Sequence, residues 1–342
     1  MIVKRKQLFI SSVLLLLCCL LVSDTIAQER EKRAQTTMKF LSVSTNARAS
    51  GMGTAMTSVE ANSAYSMLYN PASLSRLPQN VDMSFGMVNW IDGIDYNMGA
   101  VAYRPGDGRY GVFGLNFVMV DYGDIDETIV GPGEKGYYRL GTFRPHAYTV
   151  GFSYSRALTG RFSVGGNLKY IAMDLGSATR SLTSGGGLVR DDFREETIGF
   201  DFGVLYLTGF ESLKLGMSVR NFSSDVSFNE TDSELPLTFR IGVSMDVMDL
   251  FDVDRDMHSF LVSIDANRPR DFDEQLILGG EYTFLQRVAV RAGYGYPTDT
   301  QQISAGFGIR QPIGSINLAI DYSYTNFDVF SNVNTFSVQF GF

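Results

Sequence analysis

Few side chains in this sequence are placed to do covalent chemistry. The two histidines are His146 and His258. A membrane hydrolase would need one of them beside a serine and oriented by a polar partner. Strand parity instead puts both on an outward face near strand ends, where a histidine is an interfacial residue. No catalytic residue is assigned, and enzyme activity is not expected. Asp252-x-Asp254-x-Asp256 opens like a calcium loop. It lacks the glycine at the sixth position and the bidentate glutamate at the twelfth, so it reads as a solvated turn. Asp124-x-Asp126-Glu127 reads the same way. Gly185-Gly186-Gly187 has no phosphate-binding context around it. The two cysteines, Cys18 and Cys19, fall in a segment expected to be removed, which leaves no disulfide framework and no thiol chemistry. No cofactor and no metal site is expected.

What remains is a set of charges at polar positions of otherwise apolar, alternating segments: Lys169, Arg240, Asp265, Glu281, Arg287, Arg291, Arg310 and Asp321. Two kinds of chemistry fit them. They can pair into an internal salt-bridge network that holds another part of the chain, or they can line a polar pathway for solutes. The rule that buried charges are paired favours the network.

The elements that must position these charges are strands. After residue 80 the hydrophobic period is two, not 3.6. Phe336, Val338, Phe340 and Phe342 point one way, and Ser337, Gln339 and Gly341 the other. Ile316, Leu318, Ile320, Tyr322 and Tyr324 alternate in the same way with Asn317, Ala319, Asp321, Ser323 and Thr325. The pattern places strands near 81–91, 94–104, 109–120, 146–158, 161–174, 197–207, 213–220, 237–246, 258–267, 274–284, 286–296, 301–311, 315–325 and 333–342. Most match the ~9–11 residues that a tilted membrane strand needs. Tight turns such as Pro105-Gly106-Asp107-Gly108 and Leu285-Gln286 alternate with long polar loops at 121–145, 175–196 and 221–236. That asymmetry is typical of outer-membrane barrels. The first hairpin, near Asp92-Gly93, is short where a long loop is allowed, and the turn at 247–257 is long where a short one is expected.

Composition agrees. The chain has 35 glycines, 17 tyrosines and 25 phenylalanines but one tryptophan, and only 19% of its residues are charged. Mean hydropathy is near zero, which excludes a helical membrane protein. A soluble β-sandwich would also alternate. It would not place Lys169, Arg291 and Asp321 on one face and an aromatic girdle on the other, with Tyr154, Tyr170, Tyr294, Tyr296 and Tyr324 toward strand ends. The expected fold class is all-β: a transmembrane antiparallel β-barrel of about fourteen strands with a short helical N-terminal hatch segment.

Residues 1–27 read as a signal peptide. Lys4, Arg5 and Lys6 precede the apolar run 8–22, and Thr25-Ile26-Ala27 resembles a cleavage site. Its basic residues and Asp24 give it a charge of +2, so its removal takes the chain from -8 to -10. An acidic chain argues against a nucleic-acid partner. Residues 28–80 form the hatch or periplasmic segment and 81–342 the barrel, located in the cell outer membrane with membrane lipid as its first partner. Within the hatch, Asn70 can cap a helix with Pro71 at its first position.

The hatch also carries a family resemblance. The run Ala47-Arg48, Gly51-Met52-Gly53 and the turn Asn70-Pro71-Ala72 resemble the opening of the PorV/PorQ family of outer-membrane proteins. The stretches at 235–247 and 278–299 are similar to it as well. The resemblance marks Arg48, Gly51, Gly53, Asn70 and Pro71 as the hatch motif. It implies an accessory or shuttle role in type IX protein secretion, with a secretion translocon and secreted proteins as partners. That family is itself similar to FadL-type transporters, which implies the alternative: passage of a small hydrophobic molecule beside the hatch. The terminal aromatics Phe340 and Phe342 resemble an assembly signal at the closure of the barrel.

Overall fold

The computed structural model describes residues 36–342 apart from 132–134, 183–187, 225, 229–230, 299–300, 329 and 331. The expected signal peptide and the triple glycine at 185–187 lie outside the described residues. The strands are β1 (Val81–Asn89), β2 (Asp95–Tyr103), β3 (Val112–Asp121), β4 (Ile125–Val130), β5 (Tyr137–Phe143), β6 (His146–Ala157), β7 (Phe162–Leu182), β8 (Leu188–Leu207) and β9 (Lys214–Ser223). They continue as β10 (Val226–Phe228), β11 (Thr231–Ser233), β12 (Thr238–Asp246), β13 (His258–Pro269), β14 (Gln275–Phe284), β15 (Val288–Tyr296), β16 (Gln301–Ile313), β17 (Ile316–Phe327) and β18 (Val333–Gly341).

Fourteen of these close a barrel in which every sequential neighbour is antiparallel and β18 returns to β1. Two pairs, β4–β5 and β10–β11, form separate two-stranded sheets in the long connections. Their alternating residues are legible in hindsight, but both lie in stretches whose polarity reads as loop. β7 and β8 run well past the expected ends and stay paired from Phe162↔Tyr206 to Leu182↔Leu188. A hairpin that rises above the membrane needs no apolar face, so the alternation that finds membrane strands fades there while the backbone pairing continues. Glu127 ties β4 to this extension, accepting from Thr179 Oγ1 at 2.8 Å and pairing with Arg190 at 3.3 Å.

Burial is inverted relative to a soluble protein. Phe85, Leu115, Phe117, Phe152, Phe202 and Val290 are exposed on the outer face, whereas Lys169, Asp201, Asp265, Glu281, Arg291 and Asp321 are buried inside. The five tyrosines of the expected girdle are all exposed. An apolar belt of this size is stable only against lipid, so the molecule is a transmembrane barrel of the outer-membrane type.

A fourteen-stranded barrel is too wide for its own strands to fill. The segment 38–77 fills it. It holds 3₁₀ turns at Lys39–Ser42, Ala64–Leu68 and Pro71–Arg76, and one short helix, α1 (Ala47–Gly51). Thr37 N–H donates to Glu234 O near the long-loop end. The chain then descends the lumen to the short-turn end, where Arg104 donates to Pro78 O and Asn80 N–H to Phe342 O. Phe342 N–H also donates to Val81 O, so the last residue seals the β1–β18 seam. Deleting Gly341 and Phe342 is expected to remove these bonds and lower the amount of folded barrel. The folded fraction, read as the fast-migrating band of unheated protein on a denaturing gel, measures it; unchanged yield would count against a closure role.

Candidate functional site: the plug anchors and the mouth cavity

The short helix α1 owes its position to a cap and to an ion pair. Asn46 Oδ1 accepts from Ala49 N–H at 3.2 Å, and the Ser337 hydroxyl of β18 accepts from Ala47 N–H at 3.2 Å. Arg48 then reaches the wall. Its Nε and Nη2 form a bidentate pair with Glu281 of β14 at 2.8 and 2.7 Å, and its Nη1 donates to Ala61 O at 3.0 Å. Arg291, directly opposite Glu281 on β15, donates to the same carboxylate at 2.6 Å and to Asp321 at 2.7 Å. Arg310 lies 3.5 Å from Glu281. Three guanidiniums thus share one glutamate.

Asp321 stands on β17, two strands from Arg291. The guanidinium bridges that distance by lying over Gly308 of β16, where an added Cβ would meet Arg291 Nη1 at 2.7 Å. The motif glycines serve the same close packing. Gly51 lies against the Gly306 backbone, 3.0 Å from where its Cβ would sit, and Gly53 takes a positive φ of 63°.

Asn70 caps the turn Pro71–Arg76 by accepting from Ala72 N–H at 3.0 Å, while its amide donates to Val204 O of β8 at 3.0 Å. The turn is a 3₁₀ helix, a single short piece wedged against β6, β7 and β8. Asp265 accepts from both Thr57 N–H (3.0 Å) and Thr57 Oγ1 (2.6 Å). Asp82 on β1 accepts from Ser63 Oγ and Ala64 N–H at 2.9 and 2.6 Å, a plug anchor that its place at the strand start hides in the sequence.

The expected charges therefore do not form one network. Arg48, Glu281, Arg291, Arg310 and Asp321 make one cluster. Lys169 belongs to a second, paired with Asp201 of β8 at 2.7 Å and bonded to Asn221 at 2.6 Å. Arg240 belongs to neither: it donates to Asn267 (3.0 Å) and to Thr54 O (2.9 Å). Arg287 is exposed in the turn before β15. Leu285 and Gln286 both take positive φ there, so β15 begins at Val288, two residues later than expected, and Arg287 never enters the wall. The histidines lie on the outer side: His146 is exposed, and His258 Nδ1 is 2.7 Å from Tyr282 Oη.

Above the plug, at the long-loop end, lies a cavity of about 480 Å³. Binding sites for small molecules span roughly 300–1,000 Å³. Its floor is the turn Lys39–Ser42. One side is apolar, with Trp90, Ile94, Tyr96, Phe327 and Val333. Trp90 meets Phe327 and Tyr96 edge-on, with ring centres at 5.0 and 6.0 Å. The opposite side carries Arg220, Asn221, Arg240 and Asn267. Burial pushes the Tyr122 phenol, in the loop after β3, up to about 12, so it remains a neutral donor in this cavity. Beneath the floor, Phe40, Leu41, Tyr69, Lys169 and Arg220 bound a second cavity of about 40 Å³.

Alternation turns Arg220 inward with Gly216 and Ser218, but it would turn the next residue, Asn221, outward. β9 breaks that rule. Phe200 pairs with Phe222 and Phe202 with Val219, so β9 carries one extra residue, and Asn221 takes a φ of 61°. The bulge turns Asn221 toward the lumen beside Arg220. An inward Asp or Asn beside a strand irregularity is a signal that a sequence search for broken alternation would catch.

No protein-family model matches the chain, and no curated protein matches it by sequence. Solved structures do match by fold. The Ralstonia pickettii toluene transporter TbuX aligns with a TM-score of 0.56 at 14% identity, covering 87% of this chain and 98% of that one. The monoaromatic hydrocarbon channel CymD aligns at 0.54 and 13%, covering 88% and 98%. A Pseudomonas aeruginosa FadL homologue aligns at 0.54 and 14%, covering 86% and 97%. The chain shares their fold: a closed fourteen-stranded barrel with its few short helices near the N-terminus.

Proposed function

We propose that this barrel carries small hydrophobic molecules across the outer membrane. The observation that supports the reading best is the cavity of about 480 Å³ at the long-loop end, one side of its wall aromatic and aliphatic, above a plug that threads the lumen. A fully packed interior would leave no place for such a molecule. The fold is shared with barrels described as toluene transporters and hydrocarbon channels. The plug gives the reading its mechanism. A water-filled pore offers an apolar solute no gain, whereas an aromatic wall takes it out of water and the plug stands in the path of ions. The test is uptake of a radiolabelled apolar solute into cells that carry or lack the protein. Faster uptake with the protein is expected; equal rates overturn the reading.

A second reading, an accessory role in protein secretion of the PorV/PorQ kind, rests on the hatch motif and on the hairpins beyond the membrane. The β4–β5 sheet, tied to the β7–β8 extension through Glu127, presents Val130, Tyr137, Tyr138 and Leu140 to solvent. Pull-down in mild detergent distinguishes it: recovery of a translocon or secreted protein supports the secretion reading, and recovery of lipid alone counts against it.

A further inference from the structure

Charge is unevenly spread around the short-turn rim of the barrel. Arg104 and Arg109 stand in the turn between β2 and β3, Arg156 at the end of β6 and Arg161 in the turn that follows, with Asp107 as the carboxylate among them. The turn between β12 and β13, six strands away around the ring of fourteen, instead exposes Asp252, Asp254 and Asp256. Arg104 is used locally, donating to Pro78 O and Asp107 O at 3.1 and 3.0 Å. Arg156 is not. It is exposed on the outward face of β6, in line with Tyr154. Among the described residues its side chain has no hydrogen bond and no carboxylate within 4 Å. The Arg161 guanidinium lies against Gly209 of the next turn, where an added Cβ would meet its carbon at 2.6 Å. The two arginines thus flank the foot of β7, one on each side.

Above that foot the wall carries a notch. Of the glycines that face outward from the wall, Gly99 is covered by the Phe117 ring and Gly280 by the Phe260 ring. Gly166 on β7 is left open. No side chain comes within 4 Å of where its Cβ would sit, and the nearest atom is the wall's own Asp201 O at 3.6 Å. Gly166 pairs with Tyr154 on one side and with Phe202 on the other, both exposed and outward. Neighbouring strands lie about 4.8 Å apart, so these two aromatics are rooted roughly 10 Å from each other with no side chain between them. That gap takes one hydrocarbon chain, and it lies in the apolar belt that lipid covers. Arg156 stands two residues, about 7 Å of strand, nearer the turn. Its guanidinium therefore reaches the level at which the belt ends and headgroups begin.

We propose that this sector of the rim binds an anionic phospholipid, with Arg156 and Arg161 holding the phosphate and the Gly166 notch seating an acyl chain between Tyr154 and Phe202. The site is on the outer wall and not in the lumen, so it stands apart from both the transport and the secretion readings. A guanidinium fork matches two oxygens of a phosphate, and such charge-assisted bonds are stronger than neutral ones. A zwitterionic headgroup brings its own cation against the same arginines and loses most of that gain. The acidic turn across the ring repels an anionic headgroup, so the lipid is held on one side of the barrel only.

Native mass spectrometry of the detergent-solubilised barrel reads the site as a one-lipid adduct. The protein is titrated with dioleoylphosphatidylglycerol and, separately, with dioleoylphosphatidylethanolamine. The anionic lipid is expected to bind roughly tenfold tighter, the return for two arginines at a membrane surface. Arg156→Gln together with Arg161→Gln should erase most of that preference. Gly166→Leu keeps every charge and should weaken both lipids by filling the notch. Arg287→Gln, on the rim outside this sector, should change neither. Glycerol phosphate, a headgroup without chains, should not displace the adduct. Equal binding of the two lipids to the unaltered protein overturns the inference, as does a preference that survives the double glutamine variant. Unchanged binding to Gly166→Leu also overturns it, since the rim would then be a diffuse basic surface. Displacement by glycerol phosphate overturns it in favour of a plain anion site. Each variant is scored only as a folded barrel on an unheated gel, and if one fails to fold, the other and the two-lipid comparison decide.

Discussion

Replacing Glu281 with alanine is expected to cost the plugged barrel about 3–5 kcal/mol, the usual penalty for breaking a buried ion pair from one side. The geometry argues for the upper part of that range. Glu281 accepts from Arg48 and Arg291 and lies within ion-pairing distance of Arg310. Without it, three guanidiniums share Asp321 alone. Arg291 already has one buried nitrogen, Nη2, without a partner, so it has no spare bonding to fall back on. The loss should appear first in the plug, because Arg48 is the plug's own contribution while Arg291 and Arg310 stay on the wall. Urea titration of the variant should show plug release, read as protease cleavage within 38–77, well before the barrel unfolds. Glu281→Gln keeps the shape but not the charge and should fall between the two. In a double-mutant cycle, Arg48→Ala added to Glu281→Ala should cost much less than Arg48→Ala alone, since the pair is already broken. Additive effects would mean that the ion pair does not hold the plug.

Replacing Gly293 with valine is expected to unseat the plug without opening the barrel wall. A Cβ at this position of β15 would land on the Gly53 amide nitrogen and the Met52 carbonyl carbon, and 2.5 Å from the Ser304 hydroxyl. These are mostly backbone atoms, which cannot swing aside as a flexible side chain can. Overpacking of a well-filled interior costs about 1–3 kcal/mol, and a clash with backbone sits at or above the top of that range. The barrel's own ladder at this point, Gly293 with Gly279 and Ser304, need not change. The strain should therefore be relieved by moving 52–53 out of the lumen. In planar bilayers the unaltered protein is expected to stay closed to ions and Gly293→Val to conduct. A silent variant with a normal yield of folded barrel would show that the plug can shift and still seal. Stable open current through the unaltered protein would show that the plug does not close the lumen at all.

The two predictions bear on the same question as the transporter reading. A plug anchored by shared carboxylates and glycine contacts fills the barrel's centre. It does not fill the mouth, where the cavity remains. On the transporter reading, passage of an apolar solute would require a local movement of the floor at Lys39–Ser42, which sits between the two cavities.

The sequence by itself determined the barrel. Alternation at period two, strand length and the contrast between tight and long turns are local properties, and each is written in consecutive residues. The fourteen wall strands lie where the alternation puts them, with ends shifted by a few residues except in the β7–β8 hairpin, which extends to Leu182 and Leu188. Asn70 and Pro71 are legible for the same reason, since a cap acts on the turn that follows it. The motif around Arg48, Gly51 and Gly53 is visible as a pattern, but nothing in the pattern says that Arg48 meets Glu281 more than two hundred residues away. Only the tertiary structure decided which charges pair. An inward position on a strand gives the direction of a side chain but not which of the other inward charges the curvature of the barrel and the path of the plug bring within reach. That is why Lys169 and Glu281 fall in separate clusters, why Arg287 falls out of both, and why Asn221 enters the lumen through a bulge. The extra residue in β9 changes the parity of one strand, and parity is the quantity on which the sequence reading depends.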